Sequence, residues 1–265
     1  MSEIVYRNVE EEKCVVVAQR GEQLTHTVYC LKFGPKSIER ILEAHNVMRS
    51  KVAKGNYTAK GKIEGPGSNI QKLMWDDKIA ENAQRFSDSL RKFDHSSGDQ
   101  REGIVSENMW AGSVPDGLSD EQLQEKGESC TRPWESEFLN LGMPRDDKGE
   151  IEWNKPTGHS YNMLNGPTNR IGCGISLFGG TLYVVCQYRN YGVSWSGGPF
   201  LKGPTCSACQ EGTKCEESTG LCICIEEGKG VCEPDNEHVY WTRVDSATSN
   251  SVLLVFLFVG GRIFW

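Results

Sequence analysis

Eleven cysteines in a chain of 265 residues constrain its folding more than any other feature, because six of them crowd between Cys206 and Cys232. Their spacing, C-x2-C-x5-C-x6-C-x-C-x7-C, is broken by Gly212, Gly220, Gly228 and Gly230 and holds no histidine. That pattern reads as a disulfide knot rather than a zinc ribbon. Disulfides persist in oxidising compartments, so the knot predicts an exported protein. The other five, Cys14, Cys30, Cys130, Cys173 and Cys186, are spread along the chain. An odd total leaves at least one thiol unpaired or intermolecular.

The length allows one large or two small domains with a substantial core. A net charge of -7 and a pI near 5.4 argue against nucleic acid as the main partner, since phosphate contacts call for a basic face. The ends complicate the prediction of export. Residues 1–12 are acidic, and only Cys14 to Ala18 forms an apolar run, so no signal peptide is legible and the export route stays open. Ser251 to Val259 is strongly apolar but gives way to Gly260, Gly261 and Arg262, too short for a transmembrane span. It loosely matches a lipid-anchor signal, so anchoring at the cell surface is the alternative to free secretion.

Periodicity organises the middle of the chain. Ile38, Ile41, Leu42, His45, Met48 and Val52 share one face of a helix predicted over Ser37 to Lys54. His45, on that apolar face, reads as a hydrogen-bonded core histidine. Gly55 to Gly67 reads as a loop, and Asn56-Tyr57-Thr58 within it is a glycosylation acceptor sequence. A second helix is predicted from Asp76 to Leu90, with Ile79, Ala80, Ala83, Phe86 and Leu90 inward. Pro133, ahead of Trp134, Phe138 and Leu139, marks the first turn of a third. Met143 to Asn154 reads as polar loop. Arg170 to Phe178 and Thr181 to Arg189, split by Gly179-Gly180, read as a hairpin. Trp75, Trp110 and Trp134 are expected in the core.

The ordered set His45-Asn46-x-x-Arg49, Met74-Trp75-Asp76, His95-Ser96, Glu107-Asn108, Trp134-x-x-Glu137, Gly158-His159 and Cys186-x-Tyr188 resembles the CAP superfamily over residues 38 to 225. This group contains cysteine-rich secretory proteins, antigen 5 and class 1 pathogenesis-related proteins. Details near Arg49 to Gly55 and Gly212 to Cys222 are similar to nematode SCP-like and venom-allergen-like secreted proteins. The resemblance implies an α+β fold, a three-layer α-β-α sandwich with a central antiparallel sheet, followed by a small disulfide-rich hinge. The expected division is a poorly ordered N-terminal extension over 1–37, a CAP domain over 38–200, a hinge over 201–232 and a tail over 233–265. The pairings it implies are Cys173 with Cys186, Cys206 with Cys215, Cys209 with Cys222 and Cys224 with Cys232.

The resemblance also implies that His95, Glu107, Glu137 and His159 converge in an open cleft, where the two histidines bind zinc and the carboxylates support them. Two imidazoles fill two positions of a tetrahedral ion, so such zinc is weakly held. A polar, water-filled quartet is the competing reading. Departures from the family pattern are Ser106 for a glycine, Asn162 for a glutamine and Asn165 for a tryptophan. One family bridge is missing altogether, with no cysteine between Leu90 and Asp94 and Phe178 in the partner's place.

No H-E-x-x-H, G-x-S-x-G or P-loop is present. Two functions remain. One is a secreted, non-enzymatic scaffold that binds a host or environmental protein, a sterol or another lipid through its cleft and through the loops Gly55 to Gly67 and Gly112 to Gly127. The other is a zinc-dependent hydrolase in which His95, Glu107, Glu137 and His159 form the catalytic set, with Ser96 or Ser160 as weaker nucleophile candidates.

Overall fold

The computed structural model describes residues 3–9, 12–18, 31–90, 92–98, 106–190, 198–228 and 230–232. Strands β1 (Glu3–Val9) and β2 (Glu12–Ala18) pair antiparallel, Tyr6 opposite Val15, within the stretch expected to be poorly ordered. The apolar tail over 251–259 and any pairing of Cys14 with Cys30 lie outside the described side chains.

Helix α1 (Pro35–Ala53) opens on Pro35, whose fixed φ and missing N–H suit a first helical turn. Ile41, His45, Met48, Val52 and Ala53 are buried on one face, as the periodicity predicts, while Ile38 and Leu42 are partly buried. Leu31 and Phe33 pack into the same core, so the body of the fold begins before residue 38. The loop predicted over Gly55 to Gly67 contains a short antiparallel hairpin, β3 (Tyr57–Ala59) with β4 (Lys62–Glu64). Asn56 and Thr58 are both exposed at its start.

Strand β5 (Met74–Trp75) leads into α2 (Asp77–Ser89), which the Asp76 carboxylate caps by accepting from the N–H groups of Lys78 and Ile79 at 3.0 and 3.1 Å. Strand β6 (Ser106–Ser113) and α3 (Asp120–Glu128) follow; α3 is closed by a capping box between Ser119 and Gln122. Next come α4 (Thr131–Leu141), α5 (Gly158–Leu164) and the long strands β7 (Thr168–Phe178) and β8 (Thr181–Asn190). The small pair β9 (Thr213–Glu216) and β10 (Leu221–Cys224) completes the order.

The central sheet runs β5-β7-β8-β6. Three of its strands are antiparallel as expected, but β5 joins β7 in parallel, so the sheet is mixed. Alternation along β7 divides the layers. Ile171, Cys173 and Ile175 enter the main core with residues of α1, α3, α4 and α5. Gly172 and Gly174 face α2, and a Cβ at Gly174 would lie 2.4 Å from the Gln84 Cα. Glycine is required there because the helix backbone rests directly on the strand. A second, smaller cluster of Ala83, Phe86, Leu90, Met109 and Val185 seals that face.

Among the described residues four disulfides form: Cys173–Cys186 between directly opposed residues of β7 and β8, then Cys206–Cys215, Cys209–Cys222 and Cys224–Cys232. Cys130 is a free thiol buried in the core, and burial pushes its pKa well up. The cysteine-rich segment is docked on the body. Leu221 is part of the main core, and backbone bonds run from Cys222 to Ile70 and from Ala208 to Ser68 at 2.8 and 3.0 Å.

Arg49 is the largest fully buried polar side chain and was legible only as part of a motif. Its guanidinium donates to the carbonyls of Gln71, Met163, Asn165, Gly166 and Thr168 at 2.7–3.0 Å, using every N–H it has. Burial lowers its pKa to about 9, which leaves it charged at neutral pH. This clamp ties α1 to the turn between α5 and β7, and so fixes where α5 presents its first residues.

Candidate metal-binding cleft

Each of the two predicted histidines is held by a carboxylate on its Nδ1. His95, after α2, meets Glu107 Oε1 at 2.8 Å; His159, in the first turn of α5, meets Glu137 Oε1 at 2.6 Å. A carboxylate on Nδ1 takes the proton-bearing side of the ring and leaves Nε2 as the lone pair, the usual arrangement behind a metal-ligating histidine. Nε2 carries no hydrogen bond among the described residues in either ring. The His95 side chain is 52% exposed over a fully buried Glu107; His159 is 34% exposed over Glu137.

The two carboxylates are anchored differently. Glu107, on β6, accepts from the Ser96 N–H and hydroxyl at 3.0 and 2.6 Å and from Gln187 Nε2 at 2.8 Å, besides His95. Burial pushes its pKa up, but these hydrogen bonds outweigh it and hold the group below the usual carboxylate range. Glu137, on α4, accepts from the N–H groups of His159 and Ser160 at 3.0 and 3.1 Å. The Trp134 ring lies parallel to the His159 ring, with centroids 6.0 Å apart.

Asn108 and Asn162 stitch the two halves. Asn108 Nδ2 donates to the His159 carbonyl at 3.0 Å, and Asn162 Nδ2 donates to Asn108 Oδ1 at 2.9 Å. Asn162, a departure from the family pattern, therefore still serves the site. The structure gives two His–Glu pairs rather than one tight cluster. Among the described residues, the ligand atoms of the quartet do not come together as a group of three within 4.8 Å; the one such group is Cys206, Cys209 and Cys222, whose sulfurs are consumed in disulfides.

His45 is a core residue, as expected. It is wholly buried, its Nδ1–H donating to the Ile41 carbonyl at 2.7 Å and its Nε2 accepting from the Tyr188 hydroxyl at 2.9 Å. Burial depresses its pKa to about 4, with the Arg49 charge lowering it further against the Ile41 bond. The candidate nucleophiles are committed elsewhere. The Ser96 hydroxyl donates to Glu107, while that of Ser160 donates to the Trp134 carbonyl and accepts from the Phe138 N–H. Gln187 and Asn82 are the supporting residues that sequence reasoning missed; strand alternation around the Cys186-x-Tyr188 motif puts Gln187 on the opposite face and was the available signal.

An open apolar groove of about 660 Å³ lies elsewhere, between α1 and β5, with Ile38, Leu42, Met74 and Trp75 in its lining and Glu39 and Glu43 among its polar groups. No quartet residue lines it. No helix among the described residues is long and apolar enough to cross a membrane.

A mixed sheet between helical layers, a docked disulfide knot and paired His–Glu groups define a disulfide-stabilised α-β-α sandwich. The chain belongs to the cysteine-rich secretory protein (CAP) family, whose model matches residues 42–188. It is 28% identical to Scoloptoxin SSD43 of Scolopendra dehaani, over 71% of this chain and 84% of that protein. Among solved structures, BmVAL-1 is 27% identical with a TM-score of 0.62, over 72% of this chain and 95% of that one. NaASP2, in a crystal structure with Zn2+, shares the fold at 24% identity and a TM-score of 0.60, over 72% of this chain and 96% of that one.

Proposed function

We propose that this protein is an extracellular, non-enzymatic binding protein that takes a divalent cation, zinc in the first instance, on His95 and His159 and engages a host or environmental protein through its cleft and loops. The observation that carries this reading is the paired Nδ1–carboxylate geometry, which leaves both Nε2 atoms as ligands. Bound zinc would supply a positive charge with open positions for a partner's donor atoms. With no third protein ligand among the described residues, binding is weak and reversible. The crystal structure of NaASP2 with Zn2+ supports the choice of ion to test first.

Hydrolysis is the poorer reading, because Ser96 and Ser160 use their hydroxyls inside the fold and Glu107 is held by several donors at once. Calorimetry should detect one weak zinc site in the wild type, lost in the His95→Ala/His159→Ala double variant. Zinc binding unchanged in that variant would sink the metal reading. Cleavage of a peptide library that disappears in Glu137→Ala would overturn the non-enzymatic one. The apolar groove favours the lipid form of the binding hypothesis as a second reading, and retention of labelled sterol that falls in Leu42→Glu is its test.

A further inference from the structure

Besides its two bonds from Ser96, the carboxylate beneath His95 accepts from a chain of hydrogen bonds that runs across the buried face of the sheet to the surface of α2. Arg85 Nη2 donates to Asn82 Oδ1 at 3.0 Å, and Asn82 Nδ2 donates to Gln187 Oε1 at 2.8 Å. Gln187 Nε2 then donates to Glu107 Oε2 at 2.8 Å, while Glu107 Oε1 accepts from His95 Nδ1 at 2.8 Å. The two ends set the polarity. A guanidinium can only donate and an ionised carboxylate can only accept. Between them stand two amides, each of which can present either its oxygen or its nitrogen to a neighbour. Only one orientation of Asn82 and one of Gln187 allow all four bonds to form together. Asn82 and Gln187 are both buried, so a reversed amide would set like atoms against each other with no water to relieve them.

We infer that Arg85, Asn82 and Gln187 are positioning residues that, with Ser96, orient Glu107 and through it set the tautomer of His95, keeping its proton on Nδ1 and its lone pair on Nε2. Both carboxylates accept from a backbone N–H, Glu107 from Ser96 and Glu137 from His159 and Ser160, but only Glu107 also accepts from a side-chain amide relay, so His159 has no such relay. The two halves of the cleft thus reach the same tautomer by different means, and His159 becomes an internal control. That the tautomer serves metal binding rests on the function proposed above; the relay itself does not.

The test uses the full chain, metal-free and 15N-labelled, at mildly alkaline pH, with the tautomer read from the histidine ring nitrogen shifts. In the wild type both rings should show protonated Nδ1 and bare Nε2. Asn82→Asp replaces the amide donor with an acceptor, so Gln187 should turn over and present its oxygen to Glu107 Oε2, leaving the carboxylate to Ser96 and weakening its bond to His95. The His95 nitrogen shifts should then move toward one another as the second tautomer appears, with His159 unchanged. Unaltered His95 shifts would overturn the proposal. Arg85→Met, at an exposed position, is the second variant should the first fail to fold, and a smaller shift in the same direction is expected. In the same samples, titration with zinc alone should show a loss of about 10-fold or more in Asn82→Asp, the usual effect of removing an outer partner of a metal ligand. A tautomer change in a protein whose wild type binds no zinc would leave the relay standing and remove the metal reading.

Discussion

Arg49→Lys removes a guanidinium but keeps the charge, and the number of carbonyls it serves sets the cost. Five buried carbonyls, those of Gln71, Met163, Asn165, Gly166 and Thr168, depend on the five N–H groups of Arg49. An ammonium has three donors and no fork, so at least two carbonyls lose their partner. Each buried polar group left unsatisfied costs about 1–3 kcal/mol, which predicts a loss of about 2–6 kcal/mol. At about 2–4 °C per kcal/mol for a domain of this size, a loss of about 4 kcal/mol lowers Tm by roughly 10 °C. Urea unfolding is the cleaner assay, because a lower midpoint at constant m isolates stability from changes in the denatured state. Four of the acceptors, Met163, Asn165, Gly166 and Thr168, end or follow α5, so the ring resonances of His159 should move as well. A loss under about 1 kcal/mol would refute the reasoning, since the carbonyls would then be finding other donors.

Acid should weaken the fold through His45. Its folded pKa near 4 lies below the ordinary value of 6.5, so between those limits the unfolded chain binds the extra proton and stability falls as pH falls, by about 3 kcal/mol in all. Unfolding midpoints across that window should flatten in His45→Gln; a parallel curve in the variant would assign the loss elsewhere. Gly174→Ala drives a methyl group against the α2 backbone, and overpacking of this kind costs about 1–3 kcal/mol. Thermal melts should show it, and a neutral result would mean that α2 can lift from β7. Replacing Cys173 and Cys186 together by serine opens a bridge of sequence separation 13, worth about 3 kcal/mol by loop closure, and leaves fold and cleft otherwise intact by circular dichroism. Secretion from a eukaryotic host should add a glycan at exposed Asn56, detected as a mass shift that Asn56→Gln abolishes.

The amphipathic α1, α2 and the hairpin of β7 with β8 were legible because each carries its own period, 3.6 or 2, and its own stop signals. Helices α3 and α5 and strand β6 were not. Helix α3 is rich in charge and held by its capping box, α5 is short and begins on the Gly158-His159 motif rather than on a cap, and β6 acquires its strand form by pairing with β8. The parallel edge β5 is two residues long and exists only as a neighbour of β7.

Residue type and order, read through the family pattern, were enough to pair eight cysteines and to single out the two histidines and two glutamates that the fold joins in pairs. Only the tertiary structure decided how the histidines are held. The Arg49 clamp, the amide relay from Arg85 to Glu107 and the separation of the quartet into two pairs depend on contacts between elements far apart in the chain, and hydrogen-bond direction there is a property of packing, which no local spacing records.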